Sequence, residues 1–221
     1  MIRISETSRL GRMLLASGAA VVALTLAVQL YLVLDVVAGL GKSPVFAVMV
    51  FLSFFTILTN IWFLASLLSS VLRPDRQNWL ARPRVKAALV VSLAHVGWIY
   101  ALVFRGHFWN PTGVQWVVDG VLHYATPLMM LAYWVWFVPK GHLRWRDVLI
   151  WALYPLTYFV LSQGISGVTG YYPYPFLDAG KLGTASIVAI GFGLGAGFCA
   201  LGVALVAADR RLRRTPYRLL R

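Results

Sequence analysis

Six apolar runs alternate with short polar stretches: Leu14–Val37, Val45–Leu72, Val85–Phe104, Val114–Val138, Val148–Leu161 and Leu182–Ala208. A helix rises about 1.5 Å per residue, so about 20 apolar residues cross a hydrocarbon core. The fifth run is the shortest; Pro155 interrupts it and it continues through Gly164. The pattern predicts an all-α integral membrane protein with one domain over residues 1–221, a bundle of six transmembrane helices spanning 14–37, 45–72, 85–104, 114–138, 148–164 and 182–208. The first run resembles a signal sequence, but it extends to Val37, too far for a cleaved apolar segment, and reads as a span.

Composition narrows the class. The chain is 60% hydrophobic and 12% charged, more apolar surface than a water-soluble domain of this size can bury. A net charge of +13 would point to nucleic acid in a soluble protein. Here the cations fall between the apolar runs, where they set topology and attract anionic headgroups. Membrane lipids are therefore the expected partners, with no nucleic acid and the oligomeric state open. The N-terminus holds Arg3, Arg9 and Arg12; the second loop holds Arg73, Arg76, Arg82, Arg84 and Lys86. The fourth loop holds Lys140, Arg144 and Arg146, and the tail carries six more from Arg210 to Arg221. Only Lys42, Arg105 and Lys181 fall on the other side, so both termini are expected in the cytoplasm. Cys199 is the one cysteine, so no intrachain disulfide forms. Gly191, Gly193, Gly195, Gly197 and Gly202 in the last run predict close approach of another helix.

Ionisable and polar residues inside such runs are candidates for function. They are Asp35, His95, Asp119 and His123, with Thr56, Thr59 and Asn60 as uncharged companions. At about 1.5 Å per residue, Thr56, His123 and His95 lie roughly 14–17 Å below the outer ends of their spans. Three helices thus offer polar groups at one level. Asp119 and His123 are four residues apart on one helical face, which predicts a carboxylate holding one imidazole nitrogen. Pro127 removes the partner of the His123 carbonyl and predicts a kink there. Asn60 stands one turn after Thr56 and offers its amide to a developing oxyanion.

A threonine hydroxyl becomes a nucleophile when a base removes its proton, and a neutral histidine suits that task. The opposing expectation is structural: a membrane-helix threonine bonds the carbonyl four residues back, here Leu52, and His123 or His95 bonds across helices. Two lone histidines are weak support for haem, and no Cys or Glu ligands stand ready for zinc, so neither cofactor nor metal is expected.

The strings Phe54-Phe55-Thr56-Ile57-Leu58-Thr59-Asn60, Leu122-His123-Tyr124 with Pro127, and Tyr172-Pro173-Tyr174-Pro175-Phe176-Leu177-Asp178 follow one another on this frame. In that order, from about Leu14 to Arg211, the chain resembles the androgen-induced-gene family of membrane proteins, in its bacterial six-span branch. Animal members are threonine hydrolases of fatty acid esters of hydroxy fatty acids. The resemblance implies Thr56 as nucleophile, His123 as catalytic histidine, and a bacterial inner-membrane location. Around His123 the histidine-to-proline spacing departs from the animal pattern by one residue. The Tyr-Pro string is expected to form a rigid outer loop with its aromatics at the interface. Arg105 or Lys181 is expected to hold a substrate carboxylate near the outer surface. A non-catalytic lipid-binding or scaffold protein is the alternative; a transporter ranks third, since no inverted repeat is visible.

Overall fold

The computed structural model describes residues 2–72, 79–213 and 218–220. Arg73, Arg76, Arg214 and Arg221, counted above for topology, lie outside the described residues. The described chain is helical apart from a parallel pair of three-residue strands, β1 (Ile2–Ile4) and β2 (Arg218–Leu220), which brings the two ends of the chain together.

The helices are α1 (Arg9–Gly39), α2 (Pro44–Leu52), α3 (Phe55–Leu72), α4 (Pro83–Ile99), α5 (Gly113–Gly120), α6 (Thr126–Phe137), α7 (Trp145–Thr169), α8 (Ala179–Leu182) and α9 (Thr184–Leu212). Five stretches are long and apolar enough to cross a membrane: Arg9–Gly39, Phe55–Leu72, Pro83–Phe104, Trp145–Thr169 and Thr184–Leu212. A sixth helical stretch is made of α5, a π-helical turn at Val121–Ala125, and α6 without a gap. The wider turn divides it, so neither piece alone reaches a spanning length.

Two boundaries differ from the hydropathy pattern. The run Val45–Leu72 is two helices, because the chain breaks at Ser53 and Phe54. The Ser53 hydroxyl donates to the Val50 carbonyl at 2.6 Å, a local bond that competes with helix continuation. The run around Pro155 is longer than expected, an unbroken helix from Trp145 to Thr169 that absorbs the proline.

α4 is the central helix and touches α3, α6, α7 and α9. Half of its apolar stretch is buried, against 17% for α7 and α9, whose outward faces are apolar and exposed. Leu93, Phe63, Leu122, Met130, Trp134 and Phe198 fill the centre of the bundle. The glycines of α9 divide by role. A Cβ on Gly191, Gly197 or Gly202 would meet Phe159, Trp98 or Val148 within 2.9 Å, whereas Gly193 and Gly195 face open space. Close approach is thus made at three of the five.

The end of the bundle that carries the termini is cross-linked by polar bonds. Lys86 donates to Glu6 at 2.6 Å and to Ser70 at 3.2 Å, and Tyr133 reaches both Glu6 and Ser70. Lys140 donates to the carbonyls of Trp134 and Val138 at the end of α6, where the helix dipole favours a cation. Asp209 of α9 accepts the backbone N–H groups of Gly141 and Leu143. Lys86 and Lys140, counted above as topological charges, are buried in these networks.

Candidate active site

The break before α3 decides where Thr56 points. In an unbroken helix its hydroxyl would bond the carbonyl of Leu52, as Thr25 bonds Val21 at 2.8 Å and Thr126 bonds Leu122 at 3.0 Å. Here Thr56 stands in the first turn of α3, and Thr56 Oγ1 lies 3.3 Å from His123 Nε2. Hydrogen bonds of this kind are commonly long before substrate binds.

His123 comes from the π-helical turn. Its Nδ1 lies 3.0 Å from the backbone carbonyl of Asp119. A carbonyl only accepts, so Nδ1 carries the proton and the Nε2 lone pair faces Thr56. The ring is held from one side by Tyr100, stacked at a centroid distance of 3.8 Å and 18° between planes. The carbonyl of His123, which lost its helical partner to Pro127, packs against Gly97 of α4, where a Cβ would come within 2.9 Å of it.

Two expectations about supporting residues are corrected. The Asp119 carboxylate does not hold the imidazole; it accepts from Trp109 Nε1 at 2.6 Å, Gln115 Nε2 at 2.9 Å and Tyr100 Oη at 3.3 Å. Only its backbone reaches His123. The Asn60 amide does not face the hydroxyl side of Thr56. It donates to the Thr56 carbonyl at 2.9 Å and to the Leu122 carbonyl at 3.4 Å, bridging α3 to the π turn. Arg105 and Lys181 do not line the cavity: Arg105 donates to Tyr124 at 3.3 Å, and exposed Lys181 pairs with Asp178. His95 borders the same space without bonding to Thr56 or His123. Its Nδ1 accepts the Trp98 indole N–H at 3.2 Å, and Phe55 and Phe198 stand edge-on to its ring.

Thr56 and His123 open on a cavity of about 1040 Å³. It occupies the half of the bundle away from the termini, and its walls are mostly aliphatic and aromatic. Leu156, Val188 and Phe192 line it and are also exposed on the bundle surface, so it reaches the flank between α7 and α9.

The Tyr172–Leu177 segment also belongs to the wall. Tyr174 turns inward, edge-on to Phe54 and Phe104 and stacked on Phe176. Burial raises its pKa, and the neighbouring Thr56 side chain, the backbone of Thr56 and Phe55 and the Tyr158 hydroxyl oppose the rise, leaving a net increase, so the phenol is neutral. Phe54, at the N-cap position, has no polar side chain to cap α3. Tyr158 donates to the Ser53 carbonyl at 2.7 Å. The Pro-flanked tyrosine was visible in the sequence, but its inward direction depends on the break before α3, which no glycine or proline announces.

Compared with known proteins, the chain matches no family model, no curated protein and no solved structure.

Proposed function

We propose that the chain is an intramembrane lipid-ester hydrolase with Thr56 as nucleophile and His123 as general base. The observation that carries this is the 3.3 Å approach of Thr56 Oγ1 to an Nε2 whose lone pair is freed by the carbonyl on Nδ1. Thr56 Oγ would attack the ester carbonyl carbon while its proton passes to His123 Nε2. The tetrahedral adduct then collapses, the C–O bond breaks, and the leaving alkoxide takes that proton. Water, activated by the same nitrogen, hydrolyses the acyl-threonine and releases the acid.

The apolar cavity supports a substrate whose ester lies within acyl chains, and its reach to the flank of the bundle supports lateral access from lipid. Esters of hydroxy fatty acids, implied by the resemblance, have this form. The same reading takes Gly113–Phe137 as the sixth span, both termini as cytoplasmic, and the bacterial inner membrane as the location.

The test is turnover of a long-chain p-nitrophenyl ester and labelling by a fluorophosphonate probe, using purified protein in nanodiscs. Thr56→Ala and His123→Ala are expected to lose both, by at least about a thousandfold in turnover, with melting temperatures near wild type. A wild-type protein that neither turns over ester nor labels would instead be a lipid-binding protein built on the same cavity.

A further inference from the structure

The Tyr-Pro-Tyr-Pro segment has a role left open by the two-residue mechanism. As Thr56 attacks, the carbonyl oxygen of the substrate becomes an oxyanion, and donors aimed at it in a dry site commonly supply the largest share of catalysis. Asn60 cannot serve, because its amide protons go to the Thr56 and Leu122 carbonyls. The cavity lining includes no lysine or arginine among the described residues.

Resting on the hydrolase reading, we propose that Tyr174 is a third catalytic residue, its hydroxyl donating to the oxyanion alongside the backbone N–H groups of Phe55 and Thr56. Three observations meet at that point. Tyr174 lines the same cavity as Thr56 and His123, and its ring stands edge-on at 5.6 Å to Phe54, the residue just before those two amides. The amides belong to the first turn of α3, where no carbonyl lies four residues back along the helix to accept them. The ring is fixed by Phe54, Phe104 and Phe176, and Pro173 and Pro175 flank it. A substrate carbonyl oxygen entering beside Thr56 would take the two N–H bonds and the phenol's own O–H. No proton leaves Tyr174: it donates a hydrogen bond, and the proton of Thr56 goes to His123 as before.

Tyr174→Phe keeps the ring and its aromatic neighbours and removes only the hydroxyl. With the p-nitrophenyl ester, kcat is expected to fall about a hundredfold or more while KM changes by less than about threefold, as for loss of one oxyanion donor. A merely structural tyrosine would move the melting temperature or KM instead. Tyr174→Phe with kcat within about threefold of wild type, beside an inactive Thr56→Ala, overturns the role of Tyr174 and leaves the hydrolase reading standing. An active Thr56→Ala overturns both. Should Tyr174→Phe lower the melting temperature, Phe176→Leu, which disturbs the same aromatic cluster without touching a hydroxyl, decides: equal losses of kcat in the two variants overturn the proposal, and a loss confined to Tyr174→Phe upholds it.

Discussion

At the scale of single residues, the arrangement around His123 departs from a carboxylate-backed histidine. The nitrogen distal to Thr56 faces a backbone carbonyl, and the Asp119 side chain is engaged by Trp109, Gln115 and Tyr100. In a triad whose carboxylate bonds the imidazole, changing that acid to its amide costs about ten-thousandfold in kcat by favouring the wrong tautomer. Here the tautomer is set by main chain that survives substitution. Asp119→Asn is therefore expected to retain kcat within about tenfold, with its loss appearing as a lower melting temperature of the purified protein. A fall of a thousandfold in kcat at unchanged stability would return the carboxylate to the imidazole. The spacing of Asp119 and His123 correctly put both on one face. It could not reveal which oxygen of Asp119 faces the ring, because the π turn rotates His123 relative to an ordinary helix and a Trp from the preceding loop captures the carboxylate.

Among the elements, two irregularities build the site: the break before α3 and the π turn between α5 and α6. They meet through Asn60, and α4 packs on the same turn through Gly97. A Cβ at Gly97 would lie 2.9 Å from the His123 carbonyl and 3.4 Å from Pro127 Cγ, so Gly97→Ala must displace backbone. The expected cost is about 1–3 kcal/mol of stability, together with lost turnover as His123 shifts from Thr56. Gly193→Ala is the control, since nothing lies within 4 Å of its added carbon; its melting temperature is expected to match or exceed wild type. Equal destabilisation by both would mean that glycine flexibility, and not the contact with His123, matters at residue 97. Helix existence and the common depth of Thr56, His123 and His95 were legible from apolar run lengths, because about 20 residues and a fixed rise leave little freedom. Pro127 was a true signal of irregularity near His123. The break at Ser53 was not legible, because Ser, Phe and Phe are all acceptable in a membrane helix; it depends on Tyr158 taking the Ser53 carbonyl from a helix a hundred residues later.

Across the whole molecule, lysine and arginine are kept out of the wall of the space where the proposed chemistry occurs. Arg105 and Lys181 lie at the end nearer the cavity, but each is turned to a partner, Tyr124 or Asp178, and neither lines the wall. Asp119 is the acidic group among the lining residues, and its oxygens already hold three donors. A carboxylate drawn into this cavity would lose its water without meeting a cation, a cost that acyl chains do not carry. Selection by the molecule should therefore rest on apolar length, with any free acid of the substrate left in the headgroup layer. Two measurements follow for an ester of a hydroxy fatty acid in nanodiscs. Converting its free carboxylate to a methyl ester is expected to leave kcat/KM within about threefold or raise it, and Arg105→Gln with Lys181→Gln is expected to leave KM within about twofold, as for exposed charges with weak partners. Loss of more than about tenfold on methylation, reproduced by either cation variant on the free acid, would show that the headgroup is held by charge after all. Methylation without effect, in both the wild type and the variants, leaves the apolar cavity as the element that chooses the lipid.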